Sequence, residues 1–285
     1  MSMKEALAEQ KAKVQARLGE KFDVIAREVE RIQGLGLPDR SLKVGQSAPG
    51  FALPDAYGRE VSLKKLLAQG PVVVSFYRGE WCPYCGIQLH SLQGALPRMQ
   101  ELGATLVAIS PEKPDHGVVA TEKHKLTFPV LSDFGNKLAR RFGIVFHVSE
   151  QQKEFSKNVF KNDIALRNGE DSYELPVPAT FVIDGKGVIR FAHVDADYMT
   201  GRAEPEAVVR RAGGDCASGR SVRASHGMRA ERFSQISLSA SSGQRMAKLP
   251  AGRGPLSLAE TKAPPSQWRR LNDNKRLRAV PNLDS

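Results

Sequence analysis

The stretch VVVSFYRGEWCPYC, residues 72–85, decides the fold class of this chain. Its first six residues are mostly β-branched or aromatic and are bounded by Gly70 and Gly79, so we predict a buried strand. Apolar residues then recur at helical spacing from 87 to 99, which predicts a helix, with Pro97 as a kink or as its end. The two cysteines therefore lie where a strand passes into the first turn of a helix.

The placement of Cys82 and Cys85 at this junction favours redox chemistry. A cysteine reacts as its thiolate, and unpaired backbone N–H groups and the helix dipole stabilise negative charge there. Their spacing also lets the two sulfurs form a disulfide with each other, with Pro83 stiffening the loop. We predict that both cysteines are catalytic. We predict that Arg78 supports them as a nearby positive charge, and that Trp81 and Tyr84 form walls of the site.

A pair of cysteines separated by two residues is also typical of zinc sites. A zinc site needs two further Cys or His ligands, but the histidines are scattered over separate predicted elements and Cys216 lies far along the chain. We therefore expect no metal and no cofactor. Two buried structural thiols, and a purely surface role for Arg78, stay open as alternatives.

Composition divides the chain into three regions. We predict an amphipathic helix and linker over 1–40, because apolar residues recur at steps of three and four over 3–33. Strand and helix signals alternate over 44–212, which we predict to be the thioredoxin-like or peroxiredoxin-like domain. Residues 213–285 are rich in Ser, Gly, Arg and Pro without apolar periodicity, so we expect disorder there. The first helix either packs on the following domain or forms a homodimer seam.

Charge and hydropathy limit the class of protein. The net charge is +11, of which +8 belongs to residues 213–285 and +3 to the rest, so the basic character is concentrated at the end of the chain. No apolar stretch approaches the length of a membrane span, and the first residues do not resemble an export signal. We expect a cytoplasmic protein with no membrane partner. We expect residues 213–285 to be a solvated tail. A nucleic-acid binding module in this region, with Trp268 beside Arg269 and Arg270, is the less favoured alternative.

Several motifs together resemble the alkyl hydroperoxide reductase and thiol-specific antioxidant family, the peroxiredoxins. They are the sequences VGQSAP at 44–49, FALP at 51–54, LSD at 131–133 and LARRFGI at 138–144. The resemblance covers residues 44 to about 210. It implies a thioredoxin-like α/β fold, with a mixed central sheet flanked by helices and preceded by the N-terminal helix.

The resemblance also implies roles for the site residues. Counting from Phe76 and Tyr77 places Cys85 on the family's peroxidatic cysteine, Cys82 on its threonine and Arg78 on its proline. The segment EWCPYC also resembles the thioredoxin active site, in which the first cysteine attacks. Pro178 matches the thioredoxin-fold cis-proline that faces the disulfide, and it stands about where peroxiredoxins have an arginine.

Two activities follow from these likenesses. The leading hypothesis is a thioredoxin-dependent peroxidase, in which Cys85 reduces hydrogen peroxide or an organic hydroperoxide and Cys82 then condenses with it. A thioredoxin-like donor is the implied reductant. The alternative is a thiol-disulfide oxidoreductase without significant peroxidase activity, with Cys82 as its nucleophile.

Overall fold

The computed structural model describes residues 1–214, and the predicted disordered tail lies almost wholly outside them. The helices are α1 (Met3–Leu18), α2 (Phe22–Gln33), α3 (Leu37–Arg40), α4 (Leu63–Leu67), α5 (Pro83–Glu101), α6 (Pro114–His124), α7 (Lys137–Arg141), α8 (Glu150–Val159), α9 (Ile164–Asn168) and α10 (Pro205–Gly214). The strands are β1 (Ala52–Pro54), β2 (Glu60–Ser62), β3 (Val72–Phe76), β4 (Thr105–Ser110), β5 (Val130–Ser132), β6 (Val145–His147), β7 (Glu174–Pro176), β8 (Ala179–Ile183) and β9 (Ile189–Val194).

The central sheet has five strands in the order β5-β4-β3-β8-β9. Strand β3 pairs in parallel with β4 and antiparallel with β8, so Val74 lies opposite both Val107 and Phe181. All five residues of β3 are buried, as expected for the middle of a sheet that is covered by helices. The predicted mixed sheet flanked by helices is confirmed, and so is the predicted hairpin of β8 and β9.

The N-terminal region is not the single helix predicted over residues 3–33. Helix α1 ends at Leu18, a 3-10 turn spans Gly19–Lys21, and α2 follows from Phe22. Gly19 has φ +54, a left-handed conformation that favours glycine and interrupts the helical backbone. The apolar spacing continues across the break, which is why periodicity alone merged the two helices.

Two further elements differ from expectation. Helix α5 continues through Pro97 to Glu101, so this proline does not end the helix. Helix α10 continues to Gly214, two residues into the region predicted to be disordered. The short antiparallel pairs β1-β2 and β6-β7 lie outside the central sheet and were not predicted. The division into 1–40, 44–212 and 213–285 stays a prediction.

The core on one side of the sheet is built on three aromatic rings. Phe142, which follows α7, lies 5.0 Å from Phe76 and 4.7 Å from Phe181 between ring centroids. Helix α1 packs on α5, the helix that begins at the cysteine pair, and α2 packs on α8. Among the described residues, no helix is long and apolar enough to cross a bilayer.

Candidate active site

The cysteine pair lies at the end of β3, at the start of α5. Cys82 is the N-cap of α5 with an extended backbone, Pro83 is the first helical residue, and Cys85 is the third. Proline is favourable at this first position because its missing N–H would have no helical partner there. The amide of Gly86 already donates to the carbonyl of Cys82 at 3.1 Å. The strand, cysteine pair and helix are therefore arranged as the sequence predicts.

Both thiols are free and almost fully buried. Cys82 is 1% exposed and Cys85 is 0% exposed. Cys82 contributes to the lining of a cavity of about 530 Å³, whereas Cys85 is not among its lining residues. Exposure therefore does not identify the attacking sulfur, and the neighbouring charges carry more information.

Arg78, predicted as a positive charge near the site, is buried beside Cys82. Its Nη1 donates to the Sγ of Cys82 at 3.9 Å. The guanidinium lies over the rings of Tyr198 and Trp81, with its Cζ 3.6 Å and 4.8 Å from the two ring centroids. This stacking fixes the orientation of the cation. The surface alternative for Arg78 is therefore wrong.

A second arginine, Arg202, was missed in the sequence. It lies between β9 and α10, and its Nη2 donates to the Sγ of Cys85 at 3.6 Å and to the carbonyl of Tyr198 at 2.6 Å. Its Nη1 donates to the Oε1 of Gln88 at 2.5 Å. No local motif marks it. The sequence resemblance did lead us to expect an arginine near position 178, but it did not point to Arg202.

These surroundings shift the two thiols in opposite directions. Burial opposes ionisation of Cys85, but the hydrogen bond from the Cys82 thiol and the positive charges of Arg202 and Arg78 outweigh it, so the pKa of Cys85 falls well below its ordinary value. Burial and the neighbouring Cys85 sulfur raise the pKa of Cys82 well above its ordinary value, although both arginines oppose this. The surroundings therefore favour the thiolate at Cys85 over the thiolate at Cys82.

Three further residues were predicted to support the cysteines: Trp81, Tyr84 and Pro178. Trp81 and Tyr84 line the cavity beside Cys82, which agrees with their predicted place as walls. Pro178 is buried just before β8, but all peptide bonds in the described chain are trans, so the predicted cis bond is wrong. The thioredoxin likeness of the loop does not extend to that bond. Catalytic and supporting roles stay predictions for all six residues.

An acidic group borders the site at the start of α5. Glu112, which follows β4, is 1% exposed, and its Oε2 accepts from the amide of Glu80 at 2.6 Å. Arg167 lies 3.4 Å from both Glu80 and Glu112. Burial raises the pKa of Glu112 to about 7. Within residues 1–214, no group of three or more His, Cys, Asp or Glu side chains is placed to hold a metal ion.

Comparison with known sequences gives one family. The model of the AhpC/TSA family matches residues 44–192. The chloroplastic peroxiredoxin Q of Populus jackii is 30% identical over 149 residues, which are 52% of this chain and 59% of that protein. Peroxiredoxin Bcp of Escherichia coli (strain K12) is 34% identical over 103 residues, or 36% of this chain and 65% of that protein. The matched segments therefore span less than two thirds of these relatives.

Comparison with solved structures agrees on the fold. The peroxiredoxin 6 of Arenicola marina superposes with a TM-score of 0.50 at 15% identity, covering 63% of this chain and 76% of that one. The peroxidoxin BcpB of Mycobacterium tuberculosis has a TM-score of 0.48 at 23% identity and covers 63% of this chain and 99% of that one. At such identities the first likeness shows a shared thioredoxin-like fold and nothing finer.

Proposed function

Because the chain belongs to the AhpC/TSA family, we propose that it is a thiol-dependent peroxidase in which Cys85 attacks the peroxide and Cys82 resolves the product. The curated relatives that it matches are themselves named peroxiredoxins. Hydrogen peroxide and organic hydroperoxides are the substrates that this chemistry admits. The cycle begins and ends with two reduced thiols, which fits a reducing compartment such as the cytoplasm.

One observation carries this assignment of roles. The Sγ of Cys85 lies in the first turn of α5, 3.6 Å from a guanidinium nitrogen of the buried Arg202. A cation and helical N–H groups next to a sulfur in a water-poor site stabilise the thiolate, the form that attacks peroxides. Cys82, whose pKa is raised, stays protonated when the peroxide arrives, so it does not attack first and is left for the resolving step.

The reaction then proceeds in two steps. The thiolate of Cys85 attacks one peroxide oxygen, the O–O bond breaks, and the other oxygen leaves as water or an alcohol after taking a proton. Cys85 is now a sulfenic acid. Cys82 attacks this sulfur after losing its proton, the S–O bond breaks, and water leaves, which forms the Cys82–Cys85 disulfide. An external thiol returns the two electrons.

Single Cys-to-Ser variants test the proposal. Hydrogen peroxide consumption is followed by stopped flow, and sulfenic acid is trapped with dimedone and located by mass spectrometry. Cys85→Ser should consume peroxide no faster than a free thiol. Cys82→Ser should complete one turnover and accumulate dimedone-reactive Cys85. The matched control is Cys216→Ser, which should behave as the wild type.

Two outcomes would contradict the proposal. If Cys82→Ser loses the rapid reaction and Cys85→Ser keeps it, the peroxidatic role belongs to Cys82. If the wild type itself consumes peroxide only at the rate of a free thiol, the peroxidase proposal fails and the disulfide oxidoreductase is favoured.

A further inference from the structure

Arg78 is a buried cation whose charge no carboxylate neutralises. It is 5% exposed, and within residues 1–214 no Asp or Glu forms an ion pair with it. Its Nη1 donates instead to the Sγ of Cys82. Buried charges are normally paired, because leaving water without a partner costs free energy. The position of Arg78 therefore calls for a reason other than stability.

Two aromatic rings hold the guanidinium against Cys82. The rings of Tyr198 and Trp81 both lie under its Cζ, that of Tyr198 at 3.6 Å. Burial raises the pKa of Tyr198 to about 12, so this ring stays uncharged at neutral pH. The rings orient the cation without cancelling its charge. That charge remains available to the sulfur of Cys82.

The two contacting residues are also the two departures of the cysteine loop from the family motif. The sequence register places Arg78 on the family's proline and Cys82 on its threonine. Neither a proline nor a threonine could supply a cation or a thiol. Because both replacements meet in one contact, we expect them to work as a pair.

The charge of Cys85 controls how easily Cys82 ionises. After burial, the hydrogen bond and the negative charge of Cys85 are what raise the pKa of Cys82, while Arg78 and Arg202 lower it. Oxidation of Cys85 to a sulfenic acid removes that negative charge but leaves both arginines in place. The thiolate of Cys82 should therefore become more accessible only after the peroxide has reacted.

We propose that Arg78 acts in the resolving step, where it stabilises the negative charge that develops on the Sγ of Cys82 during attack on the sulfenic acid of Cys85. The proposal rests on the proposed function, because a peroxide must first form that acid. An S–S bond forms and the S–O bond breaks. The proton of Cys82 leaves with the released hydroxide as water, and Arg78 keeps its charge throughout.

Other ionisable groups near Cys82 do not replace this cation. Burial raises the pKa of Tyr84, so its hydroxyl stays protonated and neutral. Two acidic side chains come from neighbouring elements, Glu28 from α2 and Glu80 from the cysteine loop, and each is bound to an arginine other than Arg78. Arg202 donates to the sulfur of Cys85.

Ionisation of Cys82 can be measured without any peroxide. Cys85→Ser/Cys216→Ser leaves Cys82 as the one cysteine of the chain, and the serine hydroxyl is a neutral stand-in for the sulfenic acid. Iodoacetamide labelling is followed against pH in the full chain. The midpoint of the profile reports the pKa of Cys82, whereas its plateau reports access to the sulfur.

Three changes are compared in this background. Arg78→Met keeps a long apolar side chain without the charge, Arg78→Lys keeps the charge, and Arg27→Gln removes a charge from an exposed position of α2. Arg78→Met should raise the labelling midpoint by about 1–2 pH units, since a hydrogen bond to a charged group changes an equilibrium by roughly 10- to 100-fold. Arg78→Lys should recover part of this shift, and Arg27→Gln should cause none.

Single-turnover kinetics in a Cys216→Ser background then separate the two chemical steps. Reduced protein is mixed with hydrogen peroxide and quenched at intervals, and mass spectrometry counts the thiol, sulfenic and disulfide forms. Peroxide attack is proportional to peroxide concentration, whereas disulfide formation is independent of it. Arg78→Met should slow disulfide formation by about 10- to 100-fold. It should slow peroxide attack by less than about fivefold, because Cys85 keeps Arg202 and stays ionised at neutral pH.

A merely structural role for Arg78 predicts different results. Loss of packing alone would change the labelling plateau and leave the midpoint in place, or would slow both chemical steps equally, and either outcome overturns the proposal. Absence of a rapid peroxide reaction in the wild type would instead refute the proposed function. An unchanged midpoint together with normal peroxide attack would refute the role of Arg78 alone.

Discussion

The Nη2 of Arg202 lies 3.6 Å from the Sγ of Cys85, although 117 positions separate the two residues in sequence. Arg202 is 6% exposed and is held by the carbonyl of Tyr198 and the side chain of Gln88. A buried cation that is fixed by two other partners interacts with the sulfur without first having to be ordered. A residue from the far end of the described chain therefore contributes to lowering the pKa of Cys85.

Replacing Arg202 by Gln should raise the pKa of Cys85 and so reduce its thiolate fraction at acid pH. A hydrogen bond to a charged group is worth roughly 1.5–3 kcal/mol, which corresponds to about 10- to 100-fold slower alkylation of Cys85. The measurement is the rate of iodoacetamide labelling against pH, with Cys85 identified by mass spectrometry. Arg202→Lys should restore part of the rate because it keeps the charge.

Arg210→Gln is the matched control, since Arg210 is exposed on α10 and the substitution removes the same charge. Its labelling profile should coincide with that of the wild type. An unchanged profile for Arg202→Gln would show that Arg202 does not set the pKa of Cys85.

Two glycine substitutions should have opposite effects on stability. At Gly70, which has φ +152, an added Cβ would lie 2.1 Å from the backbone oxygen of Gly103, which cannot rotate away, so Gly70→Ala should cost at least about 2 kcal/mol. Gly94 is exposed within α5, and its added Cβ would meet nothing within 4 Å, so Gly94→Ala should stabilise by about 0.5–1 kcal/mol. Urea denaturation gives both free energies of unfolding. Equal shifts of the two midpoints would contradict the packing argument.

Glu112 should make the stability fall as pH rises through the neutral range. Burial raises its pKa from an ordinary value of 4.5 to about 7, so between these values the folded state keeps a proton that the unfolded state has lost. The free energy of unfolding should then decrease from about pH 4.5 to 7, by at most roughly 3 kcal/mol. Glu112→Gln should flatten this decrease and gain stability relative to the wild type at pH 8.

The matched control for this titration is Glu154→Gln at an exposed position of α8, which should leave the decrease in place. Urea midpoints at several pH values provide the measurement. A decrease of equal size in Glu112→Gln would assign the pH dependence to other groups.

Truncation of Phe142 should lower the free energy of unfolding more than truncation of most other side chains. It is fully buried between Phe76 and Phe181, so Phe142→Ala should lower the free energy of unfolding by about 3–5 kcal/mol. Phe134→Ala makes the same change at a side chain that is 53% exposed, and it should cost no more than about 0.5 kcal/mol. Thermal or urea denaturation distinguishes the two, and comparable losses would refute the assignment of the core.

The strand, cysteine pair and helix could be predicted because each signal is local. β-branched and aromatic residues favour β3, Pro83 is suited to the first position of α5, and both cysteines then occupy its first turn. The positive charge of Arg78 could also be anticipated, because it is only four residues from Cys82. The break between α1 and α2 at Gly19 could not be predicted, because the spacing of the apolar residues is the same on both sides of it.

By itself, then, the sequence determined that two cysteines lie at a strand-to-helix junction of a mixed α/β sheet, because those features depend on residues within one turn or one strand of each other. Only the tertiary structure brought Arg202 to the Sγ of Cys85 and placed Cys82, but not Cys85, beside a cavity. Both depend on distant segments of the chain: Arg202 comes from the loop before α10, and residues of α1 and α2 border the cavity. Packing of those segments is set by long-range burial and charge, which no short sequence period encodes.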